Sequence, residues 1–176
     1  DNIVQDSMKV VGSNVFIVFW ELCNLFEGLN YKIEQLEDDQ INKIVEKTCS
    51  EIDLTFKNLE TSSLVLVNKF SSAIFPFPNK TKSNFDKLAN ILNKHISNFA
   101  PKNVKLVDLD RVFYNIGIHK SIDLRYYYSS KALYTIDFFK AYSRLVKPYI
   151  MSANGKSKKA IIFDCDNTLW KGILGE

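Results

Sequence analysis

Asn14-Val15-Phe16-Ile17-Val18-Phe19-Trp20 is an unbroken apolar run, rich in β-branched and aromatic side chains. A run of this kind, too short for a helix and without polar alternation, predicts a strand buried on both faces of a parallel sheet. Ser63–Val67 reads as a second buried strand, Val104-Lys105-Leu106-Val107 as a third strand and Ala160–Phe163 as a terminal buried one. Helical patterns stand between these runs. Asp38 to Leu59 places Ile41, Ile44, Val45, Thr48, Ile52, Phe56 and Leu59 on one stripe, with Asp38 and Asp39 suited to its amino end. The resulting β-α-β-α-β-α-β order predicts an α/β fold, a parallel sheet in three layers with helices on both faces and right-handed crossovers.

Working outward from these elements, residues 1–13 read as a polar lead-in with a turn at Gly12-Ser13. Asn68 to Pro78 reads as a loop with two prolines and three exposed phenylalanines, Phe70, Phe75 and Phe77. Ser83-Asn84-Phe85-Asp86 has the form of a capping box with Asp in the Glu role. It opens a helix with Phe85, Leu88, Leu92, Ile96 and Phe99 facing inward, ended by Pro101. Val112 to Ile116 suggests a helical turn and Asp123 to Tyr128 a tyrosine-rich loop. Ser129 and Ser130 are expected to cap a helix through Leu133, Ile136, Phe139, Tyr142 and Leu145, stopped by Pro148. Residues 151–157, with Asn154-Gly155, read as a linker between a domain over 1–150 and the start of a second over 158–176.

Composition narrows the classes of function. The 176 residues are 46% hydrophobic and 24% charged, with a formal net charge of +3. Lysines and acids are interspersed, so no basic face points to nucleic acid. The longest apolar run is far shorter than the roughly 20 residues of a membrane span. Cys23, Cys49 and Cys165 form no Cys-x-x-Cys pair, which suits reduced thiols in a cytoplasmic protein.

The chemistry-bearing stretch is Lys158-Lys159-Ala160-Ile161-Ile162-Phe163-Asp164-Cys165-Asp166-Asn167-Thr168-Leu169-Trp170. On an extended backbone Asp164 and Asp166 leave the chain on the same side. Two like charges at the end of an apolar strand are costly unless a cation or phosphoryl group shares the site. In that reading Asp164 is the nucleophile that attacks phosphorus. Asp166 protonates the leaving oxygen and later takes a proton from water. Mg²⁺ is held by the Asp164 carboxylate and the Asp166 carbonyl, and Asn167, Thr168 and the turn amides receive phosphoryl oxygens. The alternative is a strand ending in a solvated acidic turn.

Ile161 to Glu176 resembles the first motif of the haloacid dehalogenase superfamily. The Asp-Asn-Thr-Leu-Trp-x-Gly-x-x-Gly-Glu continuation is similar to its FkbH-like, subclass IIIC branch. The resemblance implies an SGNH (GDSL-type) or flavodoxin-like domain upstream, in keeping with the order of elements over 14–150. It also implies Mg²⁺-dependent phosphatase or phosphotransferase chemistry on a phosphorylated small molecule. In some members a glyceryl unit is loaded onto an acyl carrier protein. The superfamily further uses a Ser or Thr, a Lys and an acidic pair that would follow Glu176, and an earlier strand-helix unit. The expectation is therefore a fragment, inactive by itself, whose upstream domain is alternatively a docking module for a carrier protein or acceptor. The Ala160–Phe163 strand is expected to dock on the upstream sheet, to pair with a second copy as a dimer, or to fray.

Upstream, strand ends in such sheets line one pole, where Glu21, Asn24, Asn68, Asp108, Asp110 and Asp123 are expected to meet. Caps and loop hydrogen bonds are the simpler use of these groups. An esterase would need Asp-x-x-His, but Tyr126 stands three residues after Asp123, and His119 precedes it. His95 reads as a packing residue and His119 as a surface one. Tyr126, Tyr127 and Tyr128, like the phenylalanine loop, either offer a contact surface or fold against the rest of the molecule; the second is favoured.

Overall fold

The structure is a computed structural model that describes residues 2–9, 14–74 and 83–156. In chain order these form α1 (Asn2–Lys9), β1 (Val15–Val18), α2 (Leu29–Lys32), α3 (Asp38–Asn58), β2 (Leu64–Asn68), α4 (Asn84–Phe99), β3 (Val104–Val107), α5 (Asp110–Ile116), α6 (Ile118–Ser121), α7 (Leu124–Ser130) and α8 (Ile136–Ala153). The three strands form a parallel sheet in the order β1-β2-β3, with Val15 opposite Leu64 and Val65 opposite Val104. The α/β class read from the alternation is the architecture observed. The expected strand at 160–163, Phe75, Phe77 and the motif at 164–168 lie outside the described residues.

The strand that is buried on both faces is β2, not β1. All five residues of β2 are buried, whereas Ile17 in β1 is 47% exposed. The reason is position. β2 is flanked by two strands, while β1 pairs only with β2 among the described residues. Leu64 N–H donates to the Asn14 carbonyl at 3.0 Å. By strand alternation, the backbone groups of Val15 and Ile17 then point away from β2.

Helix ends follow local chemistry. Ser83 Oγ accepts from Asp86 N–H at 3.0 Å, and the Asp86 carboxylate accepts from Ser83 N–H at 3.3 Å, which completes the capping box. Hydrogen bonds from Ser72 and then Ser83 hold the Asp86 carboxyl below its ordinary range. Ile41, Thr48, Ile52, Thr55 and Phe56 form the buried stripe of α3. That helix packs against α1 and α4, while α8 packs against α5 and β2.

Several expectations are corrected. Residues 2–9, read as a polar lead-in, form α1, with Ser7 buried and accepting from Asn58 Nδ2 at 3.0 Å. Phe70 is 4% exposed, and Phe99, expected inside, is 62% exposed. The stretch 124–130 is helix rather than loop, so Ser129 and Ser130 close α7 instead of capping the next helix. Thr135 is the true cap of α8, its hydroxyl accepting from Phe138 N–H at 3.2 Å. This start shifts the buried stripe of α8 to Phe138, Tyr142 and Val146. The helix also runs through Pro148 to Ala153, so 151–153 form its last turn. A proline there lacks one N–H donor, yet the helix continues past it.

Three asparagines tie strand ends and loops through their side-chain amides, two of them by pairing with both the N–H and the carbonyl of one residue. Asn68, at the end of β2, accepts from Trp20 N–H and donates to the Trp20 carbonyl, both at 2.6 Å. Asn93 does the same for Phe70, both at 2.8 Å. Asn103 donates to the carbonyls of Leu59 and Ser62 at 3.0 and 2.9 Å. A primary amide presents one acceptor and two donors, so each one can bind a strand end or loop on both sides of a peptide. The Asn68 pair fixes the segment that carries the candidate site.

Candidate functional site at the carboxyl end of the sheet

Beyond β1 the chain runs Phe19-Trp20-Glu21 and enters a 3-10 turn over Leu22–Asn24. Asn68 holds Trp20, so Glu21 is delivered to a set place at the sheet pole. The Glu21 carboxylate caps the turn through Cys23 N–H at 3.3 Å and accepts a short hydrogen bond from the Tyr134 hydroxyl. Burial pushes the Glu21 carboxyl above its ordinary range, against the opposing pull of these donors. The Tyr134 hydroxyl is raised as well, by burial first and then by the charge of Glu21.

The neighbouring thiol is not activated. Cys23 is buried, and burial followed by the Glu21 charge pushes it up, the opposite of what a nucleophilic cysteine requires. Tyr127 Oη lies 3.4 Å from both the Cys23 carbonyl and Asn30 Oδ1, which ties α7 to this turn. Tyr127 is 1% exposed, whereas Tyr126 and Tyr128 stand on the outside of α7. Of the three tyrosines, the middle one is therefore structural, and Tyr128 Oη receives a 3.4 Å hydrogen bond from Asn30 Nδ2.

A cavity of about 670 Å³ opens beside this turn, lined in part by Trp20, Glu21, Asn24, Lys47, Tyr134 and Phe139. Glu21 and Asn24 thus meet at the pole as expected. Asn68 is buried beneath them as the clamp on Trp20. Asp108 and Asp110 belong to a separate network after β2 and β3. There Ser71 Oγ donates to Asp110 Oδ1 at 2.5 Å, and Asp110 N–H donates to Asp108 Oδ1 at 3.1 Å. Asp123 caps α7 and pairs with Arg125 through two hydrogen bonds of 3.1 and 2.7 Å. The acids are held by different donors, Tyr134 for Glu21, Ser71 for Asp110 and Arg125 for Asp123, although the Asp110 charge still acts on Tyr134.

The histidines are apart from all three. His95 Nε2 lies 2.7 Å from Asp53 Oδ1 and its ring packs on Phe99, joining α4 to α3, while His119 is exposed on α6. Among the described residues no group of three or more His, Cys, Asp or Glu side chains could hold a metal ion. Asp164, Asp166, Asn167 and Thr168 lie outside the described residues. As a donor set, a carboxylate and a backbone carbonyl are hard oxygen ligands of the kind Mg²⁺ takes.

Sequence reasoning missed Ser71 and Tyr134. Ser71 follows Asn68-Lys69-Phe70 directly after β2, and a serine at a strand end was the available signal. Tyr134 lies 113 residues from Glu21, and nothing local links them. No helix among the described residues is long and apolar enough to cross a membrane. Compared with protein-family models, with curated proteins and with solved structures, the chain matches none.

Proposed function

We propose that this chain carries the first catalytic motif of an FkbH-like, haloacid dehalogenase-type phosphatase or phosphotransferase, preceded by an SGNH-like α/β body. The observation that carries the reading is the sequence Phe163-Asp164-Cys165-Asp166-Asn167-Thr168-Leu169-Trp170, in which two acids two positions apart follow the apolar run Ala160–Phe163, a spacing that would put both on one side of an extended chain. In this reading an Asp164 oxygen attacks phosphorus while the bond to the leaving oxygen breaks, and Asp166 donates its proton to that oxygen. Water then attacks the aspartyl-phosphate, Asp166 takes its proton, and the Asp164–phosphorus linkage breaks to regenerate the carboxylate. Where the acceptor is an alcohol or thiol instead of water, the same two roles apply. Mg²⁺ held by Asp164 and the Asp166 carbonyl would offset the negative charge gathered around phosphorus. Asn167 and Thr168 would receive phosphoryl oxygens.

A second reading, that the body is a docking module for a carrier protein or acceptor, is favoured by the cavity at the sheet pole. Its acidic group is bonded to a tyrosine and a turn amide rather than set between a nucleophile and a base. The two readings are compatible, since one concerns 158–176 and the other 14–150.

The test is phosphate release from phosphorylated three-carbon acids and a generic phosphoester, with Mg²⁺, by the complete reading frame that contains these residues. Asp164→Asn is expected to abolish turnover and Asp166→Asn to reduce it by roughly 100-fold or more, the scale of general acid–base catalysis. Turnover that survives Asp164→Asn would exclude the aspartyl-phosphate reading.

A further inference from the structure

The cavity beside Glu21 holds a partly buried acid that pairs with no cation among the described residues. Glu21 accepts from Cys23 N–H and Tyr134 Oη, and the Leu22 N–H and Cys23 thiol also act on its carboxyl, so the groups that hold it are all neutral. The ion pairs among the described residues do not include it. Lys47, Glu51 and Lys131 also line the cavity, and neither lysine pairs with Glu21. Lys47 pairs with Glu51 at 3.7 Å, and the Lys131 ammonium lies 5.4 Å from the Tyr127 ring centre. The surrounding wall is aromatic. Phe19 meets Tyr134 edge-on at 5.3 Å and Phe139 at 5.9 Å, with Trp20 on the same lining.

We propose that this cavity binds a small organic cation, a primary or quaternary ammonium on an apolar body, with Glu21 as its counter-charge. Aromatic faces attract such cations through their quadrupoles, and the attraction grows when water is excluded. The groups that hydrogen-bond Glu21 are neutral, and a cationic ligand would supply the opposite charge. The cavity's volume lies within the range of small-molecule sites. Asn24 adds a polar group at the rim for a hydroxyl or amide on the ligand.

The 176-residue chain is titrated with benzyltrimethylammonium and, separately, with phenylacetate, a similar body of opposite charge. Thermal melting and Trp fluorescence are followed together. The cation is expected to raise the melting temperature in a saturable way, and phenylacetate is not. Glu21→Gln is expected to weaken the cation's binding by roughly tenfold or more, the loss of one charge-assisted contact. Should that variant fail to fold, Phe139→Ala at the rim tests the aromatic wall, with weaker binding expected. Saturable binding of phenylacetate in preference to the cation would assign the site to Lys47 and Lys131 and overturn the proposal. So would an unchanged affinity in a folded Glu21→Gln or Phe139→Ala variant, or no response of the unmodified chain to the cation.

Discussion

Replacing Asn68 with alanine removes two hydrogen bonds of 2.6 Å and leaves the Trp20 N–H and carbonyl buried without partners. The expected loss is about 2–4 kcal/mol of unfolding free energy, measured by urea denaturation. Asn68→Asp, which accepts but does not donate when ionised, should recover only part of it. A second residue-scale prediction concerns Glu21, whose carboxyl is raised above its ordinary value by burial. The folded state therefore holds a proton that the unfolded state has already released. Stability from this group is complete below the unfolded value and is lost as pH rises through the folded one. Relative to Glu21→Gln, the native chain should lose stability as pH rises from the ordinary glutamate range toward neutrality; a flat difference would contradict the burial of this acid. Glu21 and Asn24 were readable as pole residues because they follow an apolar run directly. Tyr134 was not, since its role depends on a partner brought close only by the fold.

At the scale of elements, apolar runs identified the three described strands, but not which of them is central. Val15–Val18 and Leu64–Asn68 are equally apolar, and sheet order alone leaves Ile17 half exposed while β2 is sealed. Hydrogen exchange should separate them: the Leu66 amide protected to near the global unfolding limit, the outward amides of Val15 and Ile17 exchanging much faster. Equal protection would mean that a further strand covers β1. Helix α4 was legible almost to the residue because Ser83 and Asp86 form a local capping box. Helix α8 was misplaced because its cap is Thr135, and Leu133, though buried, belongs to the segment before it. The stripe expected from Leu133 stepped by three throughout, whereas the buried one steps by four, so the two share only Tyr142. Pro148 was read as a stop, but a helix missing one donor continues when its stripe, here Phe138, Tyr142 and Val146, remains buried.

For the whole molecule, the alternation of strand and helix was enough to establish a parallel α/β body, because a buried parallel sheet leaves a sequence few other patterns. The arrangement of its polar groups was not legible. Each acid at the pole found a different partner: Tyr134 for Glu21, Ser71 for Asp110 and Arg125 for Asp123. What the body binds and what Asp164 does are separate questions. The most direct measurement is to trap the covalent intermediate. The complete reading frame is mixed with Mg²⁺ and a phosphorylated three-carbon acid, quenched, reduced with borohydride and mapped by peptide mass spectrometry. The account predicts conversion of Asp164 alone to homoserine, dependent on substrate. Turnover with Asp164 unlabelled, or label on another residue, would contradict it.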